Sequence, residues 1–184
     1  MIDAVYPELV QTQPIRLNLV CFEGVERELS QYLVNYLSTR GFVVDITPHE
    51  HLPSFAFNQR RQKYVADDLL SFLREYDGDR VLGLMNDVMY RYVLDHIKGM
   101  ADFLGRAAVI SLSHIREHAE QELLKQRLGK LAAHELGHTF GLEHCKDPKC
   151  VMNNADGLKL WDCCSDCYCQ QCLPIIKRHF YSVH

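Results

Sequence analysis

What the sequence lacks narrows its function first. No apolar run approaches the ~18 residues of a membrane span, so no bilayer-crossing segment is expected. The opening residues, Met1-Ile-Asp-Ala-Val-Tyr-Pro-Glu8, have neither the basic head nor the apolar stretch of a secretory signal. The expected location is therefore the cytoplasm. Basic charge is in deficit, 20 Lys and Arg against 24 Asp and Glu, for a net charge of -4. Phosphate groups need a basic surface, so neither nucleic acid nor an anionic membrane is an expected partner. Repeats, low-complexity tracts and flexible linkers are absent too. That leaves a single domain over residues 1–184, expected as a monomer and long enough for a substantial core.

Cysteine is the residue in excess. Of 8 cysteines, Cys21 stands alone in an apolar run and reads as a small buried hydrophobe. The others crowd between Cys145 and Cys172. In a reducing compartment such crowding points to metal ligation before disulfides.

Periodicity gives an α/β chain. Ile15–Cys21 and Phe42–Thr47 read as strands, with an amphipathic helix between them over Val25–Arg40, a pattern that implies a parallel crossover. A second helix is expected over Asn58–Tyr76. Arg80–Met85 is nearly all apolar, as a central strand would be. Tyr92–Leu104 is ambiguous, with part of it suited to an edge strand, and Ala107–Leu112 reads as a further strand. The longest helical pattern runs from Glu117 to Gly141. Beyond it the period is lost until Leu173–Tyr181. The sequence thus divides into an N-terminal subdomain, 1–141, ending in one long helix, and a small irregular subdomain, 142–184, held by metal.

That long helix carries His134-Glu-Leu-Gly-His138. Residues i and i+4 share a helix face, so two imidazoles can reach one ion. Glu135, beside the first of them, can take a proton from a water activated by that ion. Catalytic zinc needs a third protein ligand and an open position. Gly141 can take a positive backbone angle, stop the helix and bring His144 back to the same ion. By chance a chain of this composition shows H-E-x-x-H roughly three times in a hundred. Adding the Gly and the third His lowers that to about one in ten thousand, which sets aside a reading as mere surface histidines. His114, His118 and His179 belong to no such set and read as surface residues.

The stretch His134-Glu-Leu-Gly-His-Thr-Phe-Gly-Leu-Glu-His144 resembles the extended zinc signature of the metzincin metallopeptidases. Cys145, Cys150, Val151-Met152 and a distal Cys-x-x-Cys narrow the resemblance to the archaemetzincins. It extends upstream to Val81–Tyr90 and Gly105–Leu112, so it covers roughly residues 80–173. It implies a twisted mixed sheet with backing and active-site helices above a cleft, and a small zinc-stabilised C-terminal part. His134, His138 and His144 would bind the catalytic zinc, Glu135 would be general base and then acid, and Met152 would lie in a turn beneath the metal. Peptide substrate would add to an edge strand by main-chain hydrogen bonds.

The resemblance also implies a second, structural zinc bound by four thiolates, hence two zinc ions per chain. Cys145 and Cys150 supply the first pair. Two Cys-x-x-Cys pairs compete for the second, Cys164/Cys167 and Cys169/Cys172. The distance from Met152 to Cys169 is closer to the family spacing, which favours Cys169 and Cys172. Cys163, Cys164 and Cys167 are then surplus, as free thiols, a disulfide or another metal register. Adjacent residues His144 and Cys145 would bind different metals, so the thiolate site would orient the third imidazole through the backbone. The expected activity is zinc-dependent peptide hydrolysis. Its alternative is a zinc-bound peptide-binding protein with little or no peptidase activity.

Overall fold

The structure, a computed structural model, describes residues 9–11, 14–92, 94–154 and 157–183. In chain order these form β1 (Leu9–Gln11), β2 (Ile15–Phe22), α1 (Arg27–Ser38) and β3 (Phe42–Glu50). A 3-10 turn at Ser54–Ala56 leads into β4 (Phe57–Asn58), β5 (Lys63–Val65), α2 (Ala66–Leu73) and β6 (Arg80–Met85). Then come β7 (Met89–Arg91), β8 (Leu94–Ile97), β9 (Gly99–Ala101) and β10 (Ala107–Ser111). The remainder is α3 (Leu112–Ile115), α4 (Gln121–Thr139), α5 (Leu158–Asp162), α6 (Leu173–Phe180) and β11 (Tyr181–Val183). Among the described residues, no helix is long and apolar enough to cross a membrane.

The main sheet has five strands in the order β3-β2-β6-β10-β9. The first four are parallel and β9 is antiparallel to β10, at the edge. Alternation along the inner strands divides the core. Leu17, Leu19, Leu82, Leu84 and Ile110 face α1 and α4, meeting Leu29, Leu33, Leu128 and Ala132. Val20, Phe22, Val81, Met85 and Val109 face α2, meeting Leu69 and Leu73. The sheet is thus covered on both sides, which is why β6 and β10 read as continuous apolar runs. Fully burying each such side chain contributes roughly 1.5–3 kcal/mol. A second sheet has four strands in the order β4-β5-β7-β8.

Two helical expectations are corrected. Residues 58–65 are not helical: the chain makes a β4–β5 hairpin with Gln62 at φ 54, and α2 starts only at Ala66. The run Gln59-Arg-Arg-Gln-Lys63 has no apolar residue to put on a core-facing stripe, whereas Tyr64 and Val65 pair with Met89 and Tyr90. The helix expected over 117–141 is present as α4 but shorter, Gln121–Thr139, because the chain before it turns. Ser111 caps α3 by accepting from the Ser113 N–H, and His118 turns the chain at φ 50 before α4 starts at Gln121. Arg127 Nη1 donates to the carbonyls of Ile115 and Glu117, satisfying the end of α3. The short helix α5 and the antiparallel pairing of β1 with β11 were not expected.

Residues after α4 lie against its length. Arg127 holds Asp162 bidentately, Nε to Oδ1 at 2.7 Å and Nη2 to Oδ2 at 2.6 Å. Lys130 Nζ donates to the Asp162 carbonyl, and the Tyr168 hydroxyl donates to the Ala133 carbonyl at 2.7 Å. From α6, Phe180 packs edge-on to Phe42 at 5.1 Å between ring centres.

Candidate metal centre

The last turns of α4 project His134 and His138 to one side, and the helix stops where Phe140 and Gly141 leave helical geometry. Gly141 has φ 87. A side chain there would be strained and would also meet Leu104, so glycine serves both the turn and the packing. The reversal brings His144 beside the other two imidazoles. Ring centres are 4.8 Å apart for His134–His138, 5.3 Å for His134–His144 and 4.9 Å for His138–His144. One ring nitrogen from each lies within 4.8 Å of the others.

Hydrogen bonding sets the tautomers. His134 Nδ1 is 2.8 Å from the Val151 carbonyl and His138 Nδ1 is 2.7 Å from the Leu142 carbonyl. A carbonyl only accepts, so both Nδ1 atoms carry the proton. Both Nε2 lone pairs then face each other at 3.2 Å, with no proton between them. Such a pair fits a cation. Burial disfavours the protonated rings: with His138 and His144 nearby it holds His134 down to about 3, and it lowers His138 and His144 as well.

Glu135 is buried beside these imidazoles, against β9. Burial raises its carboxyl to about 8, while the Lys98 ammonium draws it back. Its carboxylate lies against the Cα of Gly99, where a Cβ would come within 2.6 Å of Glu135 Cδ. Gly99 is a site residue that the sequence reading missed; a glycine at the start of an edge strand was the available signal. The four residues His134, Glu135, His138 and His144 open onto a cleft of about 670 Å³, lined also by Gly99–Ala101, Asn153, Asn154 and Trp161. His114 also lines this cleft, so it is no ordinary surface histidine. His118 and His179 are exposed, the latter with its ring tilted against Phe140 at 4.8 Å between centres.

Met152 is buried beneath α4 with its sulfur against Gly137. Its carbonyl accepts from the Cys145 N–H at 2.9 Å, and Asn153 Nδ2 donates to the Cys145 carbonyl at 2.9 Å. These bonds tie the turn to the strand of chain that leaves His144. Next to it, Cys145, Cys150, Cys169 and Cys172 bring their sulfurs within 4.8 Å of one another. The Cys145–Cys169 separation of 3.7 Å is too long for a disulfide. The Asp147 and Cys169 N–H groups point at the sulfurs of Cys145 and Cys150, each at 3.4 Å. Burial works to raise the Cys169 thiol, but the N–H groups of Cys172 and Gln171 and the neighbouring thiols bring it down to about 7. Such a donor set suits a closed thiolate site for zinc. Cys163 and Cys167 are exposed and Cys164 is buried, and none of the three joins this group. Cys21 is buried, its thiol raised to about 11 by that burial.

A mixed sheet backed by a helix that ends in three convergent imidazoles, with a buried glutamate beside them, defines a zinc metallopeptidase of the metzincin class. Residues 18–178 match the model of peptidase family M54. The archaemetzincin of Methanopyrus kandleri is 35% identical over 178 residues, 90% of this chain and 97% of that protein. That of Pyrococcus abyssi is 36% identical over 133 residues, 67% of this chain and 71% of that protein. The crystal structure of the M. kandleri archaemetzincin superposes with a TM-score of 0.80, covering 89% of this chain and 94% of that one at 35% identity. The chain belongs to peptidase family M54, the archaemetzincins. It is thus a zinc-dependent metallopeptidase, and its substrates are peptides or proteins.

Proposed function

We propose that peptide bonds are hydrolysed in the cleft beneath β9, with His134, His138 and His144 holding the catalytic zinc and Glu135 moving the proton. The observation that carries this reading is the pair of facing Nε2 lone pairs 3.2 Å apart, each imidazole locked by a carbonyl at its other nitrogen. Zinc bound there supplies Lewis acidity that makes water a nucleophile near neutral pH. The protein's own groups do the rest. Glu135 accepts the proton of the attacking water and returns it to the leaving amine. Its burial raises its proton affinity above that of an exposed carboxylate. The outer side of β9 has no strand partner among the described residues, which supports a substrate lying along it as an added strand.

Cys145, Cys150, Cys169 and Cys172 hold a second zinc, giving two per chain. The peptide unit between His144 and Cys145 couples the two sites. In this reading residues 1–141 and 142–184 are two subdomains of one domain, meeting at the cleft. Both ligand sets come from one chain, which supports a monomer, and eight unpaired thiols suit a reducing compartment such as the cytoplasm. The direct test is Glu135→Ala. It should retain zinc and lose hydrolysis by several orders of magnitude; cleavage at the parental rate would overturn the general-base role.

A further inference from the structure

Two segments that line the cleft would meet a bound peptide differently. Gly99–Ala101 supply the edge strand β9, whereas Asn153 and Asn154 come from the chain that follows Met152. A peptide extended along β9 turns the N–H and C=O of alternate residues toward that strand. The residues between turn theirs away from it, and those groups need partners elsewhere in the cleft. Among the described residues that line it, Asn153 and Asn154 carry the uncharged side-chain amides.

Asn153 is held in one orientation. Its Nδ2 donates to the Cys145 carbonyl at 2.9 Å. A carbonyl only accepts, so this bond distinguishes the nitrogen of the amide from its oxygen. The backbone is fixed as well: the Asn153 N–H donates to the Cys150 carbonyl at 2.9 Å, and residue 153 forms a β-bridge with Cys145. That leaves Oδ1, which no donor among the described residues reaches. The buried side-chain nitrogens and oxygens left unpaired among those residues are Tyr36 Oη and Arg106 Nε, so Asn153 Oδ1 is open to solvent. Asn153 lines the cleft together with His144, the neighbour of Cys145. An acceptor fixed before the ligand arrives costs little ordering on binding. Asn154, by contrast, is exposed, and no bond among the described residues fixes its side chain.

We propose that Asn153 is a substrate-binding residue whose Oδ1 accepts a main-chain N–H of the peptide that β9 leaves unpaired. That the ligand is a peptide lying along β9 rests on the peptidase reading above; the fixed, open acceptor does not. The Nδ2 bond also ties substrate affinity to the backbone of Cys145, one of the four clustered thiols.

Replacing one amide of a peptide by an ester removes a single N–H and leaves the side chains as they were. Fluorescence anisotropy of zinc-replete Glu135→Gln protein, used to stop turnover, compares a labelled octapeptide of mixed sequence with a set carrying one ester at each position in turn. Esters at positions that pair with β9 should weaken binding about tenfold, and so should an ester at the position facing Asn153. Adding Asn153→Ala should shrink the penalty at that one position to within about twofold and leave the others as they are. Adding Asn153→Asp should retain it, because an acceptor oxygen stays while the donor to Cys145 is lost. Both substitutions break the Cys145 bond, so a penalty removed equally by both marks a purely structural role and overturns the proposal. Ester penalties that are the same whatever residue occupies position 153 overturn it too, as does absence of binding by the all-amide peptide. Failure of the parent to cleave, with the Asn153-dependent penalty intact, would sink the peptidase reading and leave the acceptor standing.

Discussion

At the scale of single residues, function rests on contacts too tight to admit change. Gly99 is the sharpest case, because a methyl group there would occupy the space of the Glu135 carboxylate, 2.6 Å from its Cδ and 2.7 Å from its Cγ. Gly99→Ala should therefore lower kcat/KM by about tenfold or more while zinc content and Tm stay near parental values, since a misplaced base costs rate without releasing a ligand. Steady-state kinetics beside elemental analysis checks this. A parental rate would show that Glu135 has room to move. The cysteines offer a second contrast. Cys145→Ser removes one of four converging sulfurs and should lower Tm markedly with loss of zinc. Cys163→Ser and Cys167→Ser change exposed thiols outside that group and should leave Tm and zinc content unchanged. Cys164→Ser should fall between them, because Cys164 is packed in the core although it is no member of the ligand group. The histidine positions were legible because helical spacing and one glycine determine where three side chains can meet. Gly99, Lys98 and His114 were not, because their part in the cleft depends on β9 lying over the end of α4, a contact distant in sequence.

At the scale of elements, α4 is the member on which both halves of the cleft are hung. The lower half is joined to it through Arg127 and Asp162, which are 5% and 24% exposed in their side chains. Asp162→Asn should destabilise the protein by about 2 kcal/mol, as expected for a charge-assisted bond at a largely covered site. The pH dependence has a definite sign. The Arg127 hydrogen bonds hold the Asp162 carboxyl below its ordinary value in the folded state. The stabilisation is therefore fully present above the unfolded-state value of about 4 and is lost as pH falls through the lower folded value. The Tm gap between parent and Asp162→Asn should be constant near neutrality and close in acid. Thermal melts at neutral and acidic pH read it directly, and a gap independent of pH would show that the pair contributes no charge-dependent stability. Strands β6 and β10 were readable because two-sided burial leaves a nearly unbroken apolar run, and β2 because Arg16 and Asn18 alternate with Ile15, Leu17 and Leu19. The β4–β5 hairpin and the separate short helix α3 before α4 were not. Their cause lies in pairing with β7 and in the Arg127 bonds to α3, whereas locally Tyr64 to Leu73 carries the same apolar spacing as a helix.

At the scale of the whole molecule, the two groups proposed as ligand sets differ in access to the cleft and so in expected lability. The histidines line the cleft, while the four sulfurs lie together outside its lining. Removing the first ion should leave a folded protein, and removing the second should loosen everything after α4, including the support that Cys145 gives to His144. Met152, Tyr168 and the Asn153–Cys145 bond transmit that support to the underside of α4. On the proposed assignment, catalysis belongs to the open site and stability to the closed one. The most direct measurement follows zinc per chain and peptide hydrolysis together during titration with a mild chelator. The account predicts two zinc ions at the start, loss of the first together with all activity while the fold is retained, and recovery of both when zinc is returned. A single zinc in the fully loaded protein, or activity that persists after the open-site ion has gone, would contradict it.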